Sequence, residues 1–195
     1  MKLYDNAGST NAIKARILLE ELGAECERIE TPLHVERPAD YPHPFGLVPV
    51  LVDGDVVVPE SNVILRYLAE RFERPDLRGA TPAERARIDV LLDSLSLELR
   101  PWLWAVEEDA IYGEESAEPL DVRVATLWAQ LDAYEQLLDP VGPWATGTTF
   151  TIADCALGGR AFHLPRLPLD QAVAPRLRRV LAALAERPAF VRATS

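Results

Sequence analysis

The sequence predicts a small α/β domain built on a mixed sheet, followed by an all-helical domain. Three features predict this. The chain opens with a strand–helix–strand pattern, it carries an Asp-Gly hairpin between two valine-rich runs, and from Thr81 onward it shows helix signals only.

Lys2–Tyr4 is the first strand candidate, and Asp5–Thr10 (DNAGST) is a loop of small and polar residues. From Asn11 the apolar spacing becomes helical through Ala12, Ala15, Ile17, Leu18, Leu19 and Leu22. Gly23 stands where a helix C′ residue belongs. Cys26–Thr31 reads as a second strand. Pro32–Phe45 holds four prolines, so any helix there is short. Val50–Val52, Asp53–Gly54 and Val56–Val58 form a hairpin signal, because Asp-Gly supplies positive φ and its flanks are β-prone. Ser61 is read as the cap of a helix running to about Arg71, with Val63, Ile64, Tyr67 and Leu68 on one face. The opening pattern favours a parallel pair with a right-handed crossover, and the hairpin adds antiparallel strands.

Glu73–Ala80 (ERPDLRGA) is polar and contains Pro and Gly, so the domain boundary is placed there. This divides the chain into residues 1–75 and 81–195, joined by a linker at 73–80. Thr81–Glu84 is a capping box with Pro82 at the first helical position. Ile88, Leu91, Leu92, Leu95 and Leu99 follow at helical spacing, and Pro101 is expected to kink or stop that helix. Asp121–Leu138 is a second helix. Thr151–Asp154 is another capping box, with Phe150 placed to staple onto Cys155; its helix is expected to end near Pro165. Pro175–Glu186 is a further helix, closed by Pro188.

With 20 Lys and Arg against 31 Asp and Glu, the net charge is −11, which argues against nucleic acid or an anionic membrane as partner. The acidity is read as solubility. The two cysteines, Cys26 and Cys155, are far apart, which excludes a disulfide scaffold, a zinc ribbon and a CxxC redox pair. No metal site is expected. The first residues run straight into a strand, so no signal peptide is read, and no apolar run reaches the ~18–20 residues of a membrane span. The expected location is the cytoplasm.

Three places could carry chemistry. Pro49 cannot donate a ladder hydrogen bond, so it starts a strand or lies on an edge. A trans bond there is the commoner case; a cis bond would turn the Val48 N–H and C=O outward, free to pair with a peptide-like ligand. Ser61 is either a plain cap or part of a helix N-terminus that receives a carboxylate, with Glu60 beside it for an ammonium group. Ser9, Thr10 and Asn11 open the first helix. Each could simply cap it, or a hydroxyl there could donate to a thiolate and lower its pKa.

The order and spacing of these pieces resemble the cytosolic glutathione S-transferase family over nearly the whole chain. The matching stretches are KLY with a Ser-containing loop and KARILLEELG, then PFGLVPVLVDGDVVVPESNVILRYLAERF, then FTIADCAL. The second stretch is the most specific. The resemblance implies a thioredoxin-like first domain with a four-stranded mixed sheet and an all-α second domain. It implies that Pro49 is cis, that Val48 pairs with the cysteinyl backbone of glutathione, and that Glu60 and Ser61 hold its γ-glutamyl head. Ser9 matches the catalytic serine of theta-like and bacterial members. Thr10 falls where beta-like members carry a cysteine, so mixed-disulfide chemistry is not expected. His34 matches a histidine near the glycyl carboxylate. Two departures stand out: Leu47 replaces a common Lys or Arg, and the Ser-Ser-Cys stretch of zeta-like isomerases is absent.

The implied function is a glutathione S-transferase with glutathione as co-substrate and no metal, acting as a homodimer in detoxification. The glutathione thiolate attacks a small, largely apolar electrophile. Trp102, Trp104 and Tyr112 follow Pro101 and either line that pocket or are plain core. Glu98 and Arg100 are near enough to add polarity. The alternatives are a binding or regulatory protein on the same fold, which Leu47 makes credible, or a glutathione-dependent dehalogenase or isomerase.

Overall fold

The computed structural model describes residues 1–33, 35–110, 113, 117–161 and 174–195, with the side chains of 109 and 110 left aside. Four strands form one sheet in the order β2-β1-β3-β4: β1 Lys2–Asp5, β2 Glu27–Glu30, β3 Val50–Asp53 and β4 Val56–Pro59. β1 and β2 are parallel, as the strand–helix–strand opening predicts, and β3 is antiparallel to both β1 and β4. Leu3, Leu51 and Val58 lie opposite one another and are buried. This row fixes the register, because a one-residue slip would turn all three outward.

The hairpin turn sits one residue later than predicted. Asp53 pairs with Val56, so the two turn residues are Gly54 and Asp55. Gly54 takes the first of the two positions with φ 60, which suits a glycine, while Asp53 stays in the strand. Its carboxylate accepts from Tyr67 Oη at 2.9 Å.

Helix α1, Thr10–Leu22, is capped at both ends. Ser9 accepts from the Ala12 N–H, and Gly23 and Ala24 return bonds to Glu20 and Leu19. Every residue from Ala12 to Leu19 is buried. α1 packs against α2 (Ser61–Arg71), α7 (Ile152–Ala161) and α9 (Pro188–Thr194). The approach to α7 is very close: a Cβ on Gly159 would fall 2.2 Å from the Thr10 carbonyl oxygen. Only glycine fits there.

The linker is more ordered than its composition predicts. Pro75–Arg78 forms a one-turn helix, α3, anchored by buried Leu77. α4, Pro82–Ser94, begins with the predicted capping box, both of whose bonds are present. Pro101 neither stops nor caps the helix that follows. α4 passes through a π-helical turn, Leu95–Leu99, directly into α5, Arg100–Ala110, where Pro101 is the second residue. The Arg100 N–H bonds Leu95 C=O, five residues back. The wider turn lies just ahead of the one residue that cannot donate, so the chain absorbs the proline without breaking.

α6, Leu120–Glu135, is three residues shorter at its C-terminal end than predicted. The described part of α7 is Ile152–Ala161, and the predicted end near Pro165 lies outside the described residues. α8 runs Pro175–Ala185, and Pro188 opens α9 as well as following α8. No helix among the described residues is long and apolar enough to cross a membrane.

Asp154 anchors the second capping box. It is fully buried and accepts from Thr151 N at 2.8 Å, Thr151 Oγ1 at 3.2 Å and Ala145 N at 2.7 Å. Phe150 and Cys155 are both buried in the core. Burial outweighs those hydrogen bonds and the attraction of Arg187, and pushes the Asp154 carboxyl up to about 6. Unfolded, the group titrates near 4. Between these values the folded state binds more protons, so this group's contribution to stability falls as pH rises, by about 3 kcal/mol in all. Asp154→Asn cannot ionise and has one acceptor fewer. Denaturant titrations between about pH 4 and pH 7 are expected to find the variant less stable than wild type at the acid end, with a gap that narrows as pH rises. A gap that stays constant or widens would mean that Asp154 is charged in the fold throughout.

Candidate functional site

Ser9–Asn11, Val48–Pro49 and Glu60–Ser61 lie on three separate segments, and the sheet register brings those segments to one edge. Tyr4, Val50 and Pro59 share one row. β1 and β4 run against β3, so the exit of β1, the entry of β3 and the exit of β4 reach the same edge. Asn6–Ser9 follows the first, Val48–Pro49 precedes the second, and Glu60–Ser61 follows the third.

The Ser9 loop is held from several sides. Asn6 accepts from Gly8 N through its side chain, accepts from Ser9 N through its carbonyl, and donates to Thr31 C=O. Arg16 reaches back from α1 to donate to Ala7 C=O at 3.0 Å and lies 3.6 Å from buried Asp5. Ser9 is half-buried, and its Oγ accepts from Ala12 N–H at 3.3 Å. That bond uses a lone pair and leaves the hydroxyl hydrogen available. Thr10 is buried against α7. Asn11 is half-buried, with its Oδ1 3.5 Å from Arg160 Nη2.

The Val48–Pro49 bond is cis. Neither the N–H nor the C=O of Val48 bonds another described residue. The loop before it is tied down by Arg37, which donates to Gly46 C=O at 2.9 Å and lies over the Tyr41 ring, and by Tyr41 Oη, which donates to Leu47 C=O at 3.0 Å. Leu47 itself is 55% exposed.

Ser61 is not the cap that the sequence predicts. It is the first helical residue of α2, and Glu60 occupies the N-cap with φ 70 and ψ 115 and no side-chain cap bond. Ser61 is buried, and its hydroxyl meets Lys14 instead of the helix N–H groups. Positive φ is costly for an L residue with a long side chain, about 1–3 kcal/mol, and such positions concentrate at functional sites.

Sequence reasoning misses five residues around this edge. Lys14 is 1% exposed yet lies on α1, where a lysine reads as solvent-facing. Asn62 donates to Leu92 C=O and Ser96 Oγ and so joins α2 to α4 and the π-helical turn. Buried Arg160 and Glu107 face each other at 3.9 Å across α7 and α5. His43 is buried, and its Nδ1 accepts from Phe45 N. Burial lowers the His43 pKa, with the Glu60 carboxylate opposing. Single buried polar residues have no periodicity, so no sequence signal marks them.

On α5, Trp102 is half-buried against the core and Trp104 is 36% exposed. Arg100 is half-buried on the same helix. His34 and Tyr112 lie outside the described residues. A separate cleft of about 440 Å³ lies between the linker and the loop before α7, lined by Gly79, Glu84, Arg87, Thr146 and Thr149; it contains none of the predicted site residues.

The family model for the glutathione S-transferase N-terminal domain matches residues 1–70. Glutathione S-transferase F10 of Arabidopsis thaliana is 32% identical over 163 residues, which span 78% of this chain and 73% of that protein. Glutathione S-transferase GstB of Escherichia coli K12 is 30% identical over 203 residues, 96% of this chain and 94% of that one. Among solved structures, the theta class glutathione S-transferase of Xanthomonas axonopodis pv. citri with glutathione bound is similar with a TM-score of 0.84 at 27% identity, covering 99% of this chain and 96% of that chain.

The strain at Glu60 can be measured apart from any ligand. Glu60→Gly is expected to be more stable than Glu60→Ala by about 1 kcal/mol, because only glycine adopts this backbone without cost. At an unstrained position the order reverses, since glycine loses more entropy on folding. Thermal unfolding of the two variants decides between these cases.

Proposed function

The chain belongs to the glutathione S-transferase family, and from that premise we propose that it activates the glutathione thiol for attack on a small electrophile. The observation that carries this reading is the shared row of Tyr4, Val50 and Pro59, which sets a hydroxyl, an unpaired peptide edge and a helix N-terminus side by side. Glutathione carries complementary groups: a thiol, a peptide backbone and an amino-acid head.

In this reading the free N–H and C=O of Val48 pair with the cysteinyl backbone as an added strand would. Ser61 and the N-terminus of α2 receive the γ-glutamyl carboxylate, and Glu60 receives its ammonium group. The thiol then lies at the start of α1. Ser9 donates its hydrogen to the sulfur while its lone pair caps the helix, and the positive end of α1 adds to the effect. Both favour the thiolate at neutral pH, and the thiolate is the nucleophile. It attacks the electrophilic carbon, and the leaving group departs with the bonding pair. Thr10 and Asn11 remain second choices for this role: Thr10 is buried, and Asn11 faces Arg160.

The electrophile enters between residues 1–75 and the helical part, with Trp102 or Trp104 of α5 lining its path. The protein acts as a homodimer in the cytoplasm. With Leu47 exposed at 55%, the glycyl end lacks the cation that this position commonly supplies.

Ser9→Ala removes a charge-assisted hydrogen bond worth about 1.5–3 kcal/mol, so kcat/KM for a chromogenic haloarene is expected to fall roughly 10- to 150-fold at neutral pH. The lost cap costs about 1 kcal/mol of stability, so the assay is run well below the unfolding temperature. A loss under about twofold would move the role to Thr10, Asn11 or the helix terminus. Ser61→Ala is expected to weaken glutathione binding with little change in kcat; unchanged affinity would exclude its ligand contact. Wild-type protein retained on immobilised glutathione without turnover would favour a binding or regulatory role.

A further inference from the structure

Lys14 leaves α1 toward α2 and ends in the protein interior. Its Nζ lies 3.4 Å from Ser61 Oγ and 3.4 Å from Asn62 Oδ1. The residue is 1% exposed, and no carboxylate lies within ion-pair distance of it among the described residues. A buried ammonium without a counter-ion is costly, so its surroundings call for an anion.

The hydrogen bonds around it have a direction. An ammonium only donates. The Asn62 amide therefore turns its oxygen to Lys14, consistent with its Nδ2 donating to Leu92 C=O at 2.9 Å and Ser96 Oγ at 3.0 Å. The Ser61 hydroxyl likewise accepts from Lys14. Its own hydrogen has no acceptor among the described residues, and it lies at the N-terminus of α2, where the N–H groups also point outward.

We propose that Lys14 is a positioning residue that sets the Ser61 hydroxyl as a donor toward a ligand carboxylate and supplies the buried charge which that carboxylate neutralises. The inference rests on the reading of Ser61 as the γ-glutamyl contact and adds to it a cation behind the serine. Without an anion, the surroundings of Lys14 work against its ammonium form. Burial lowers the Lys14 pKa well below that of an ordinary amine, Arg160 on α7 and Arg100 on α5 lower it further, and only Glu60 opposes them. An anion at the head of α2 offsets all three.

The test compares two ligands on two proteins. One ligand is glutathione. The other is 4-aminobutanoyl-cysteinyl-glycine, the same tripeptide without the glutamyl carboxylate. Lys14→Met keeps the volume and removes the charge, a change that buried sites often tolerate. Its affinity for glutathione is expected to fall roughly 10- to 100-fold, the range of one charge-assisted bond. Its affinity for the analogue is expected to change by less than about twofold. Lys14→Gln, which keeps a neutral donor, is expected to fall between Lys14→Met and wild type on glutathione and to match wild type on the analogue. Equal losses on both ligands in both variants would assign Lys14 a merely structural role and overturn the proposal, as would unchanged affinity for glutathione. Wild-type protein that binds neither ligand would overturn the reading of the whole site, a separate and distinguishable result.

Discussion

Leu3, Leu51 and Val58 meet in one buried row, and the next row of the sheet is Tyr4, Val50 and Pro59. Burial of the first row fixes the alignment of the second. Everything proposed for the ligand depends on that alignment, because three segments far apart in the chain leave the sheet at this one edge. None of them needs to contact the others directly. The apolar core holds each in place.

α1 ties this edge to the rest of the molecule. Buried on all sides from Ala12 to Leu19, it touches the sheet domain through α2 and the helical part through α7 and α9. Gly159 lets the backbone of α7 reach the first turn of α1. A helix so enclosed cannot shift alone, so Ser9 at its start is held in a rigid frame. Arg16 and Asn6 both fasten the loop ahead of it.

Two buried charges are handled in different ways. Asp154 receives three hydrogen bonds and stands close to Arg187, so it caps α7 without further help. Lys14 has only a hydroxyl and an amide oxygen, with two arginines nearby. The first arrangement is complete within the protein; the second is completed by an anion. Asn62 extends the second arrangement into the helical part through Leu92 and Ser96. Ser96 lies in the π-helical turn that also absorbs Pro101, so the widened turn meets the network behind the head of α2.

The sequence by itself determined the elements: apolar spacing in α1 and α2, capping boxes at Thr81 and Thr151, and β-prone valines around Gly54 all act over a few residues. It also marked Ser9, Val48, Pro49, Glu60 and Ser61, since turn and cap chemistry is local. The tertiary structure decided where those residues sit and what they touch. Ser61 proved to be inside α2, with Glu60 taking the strained cap, and its hydroxyl meets Lys14 from another helix. Pro101 proved compatible with a continuous helix because the turn before it widened. Lys14, Asn62, Arg160 and Glu107 gave no signal at all. Each is a polar residue in a helix whose burial depends on what packs against it, and packing partners are set by the fold as a whole, beyond the reach of local pattern.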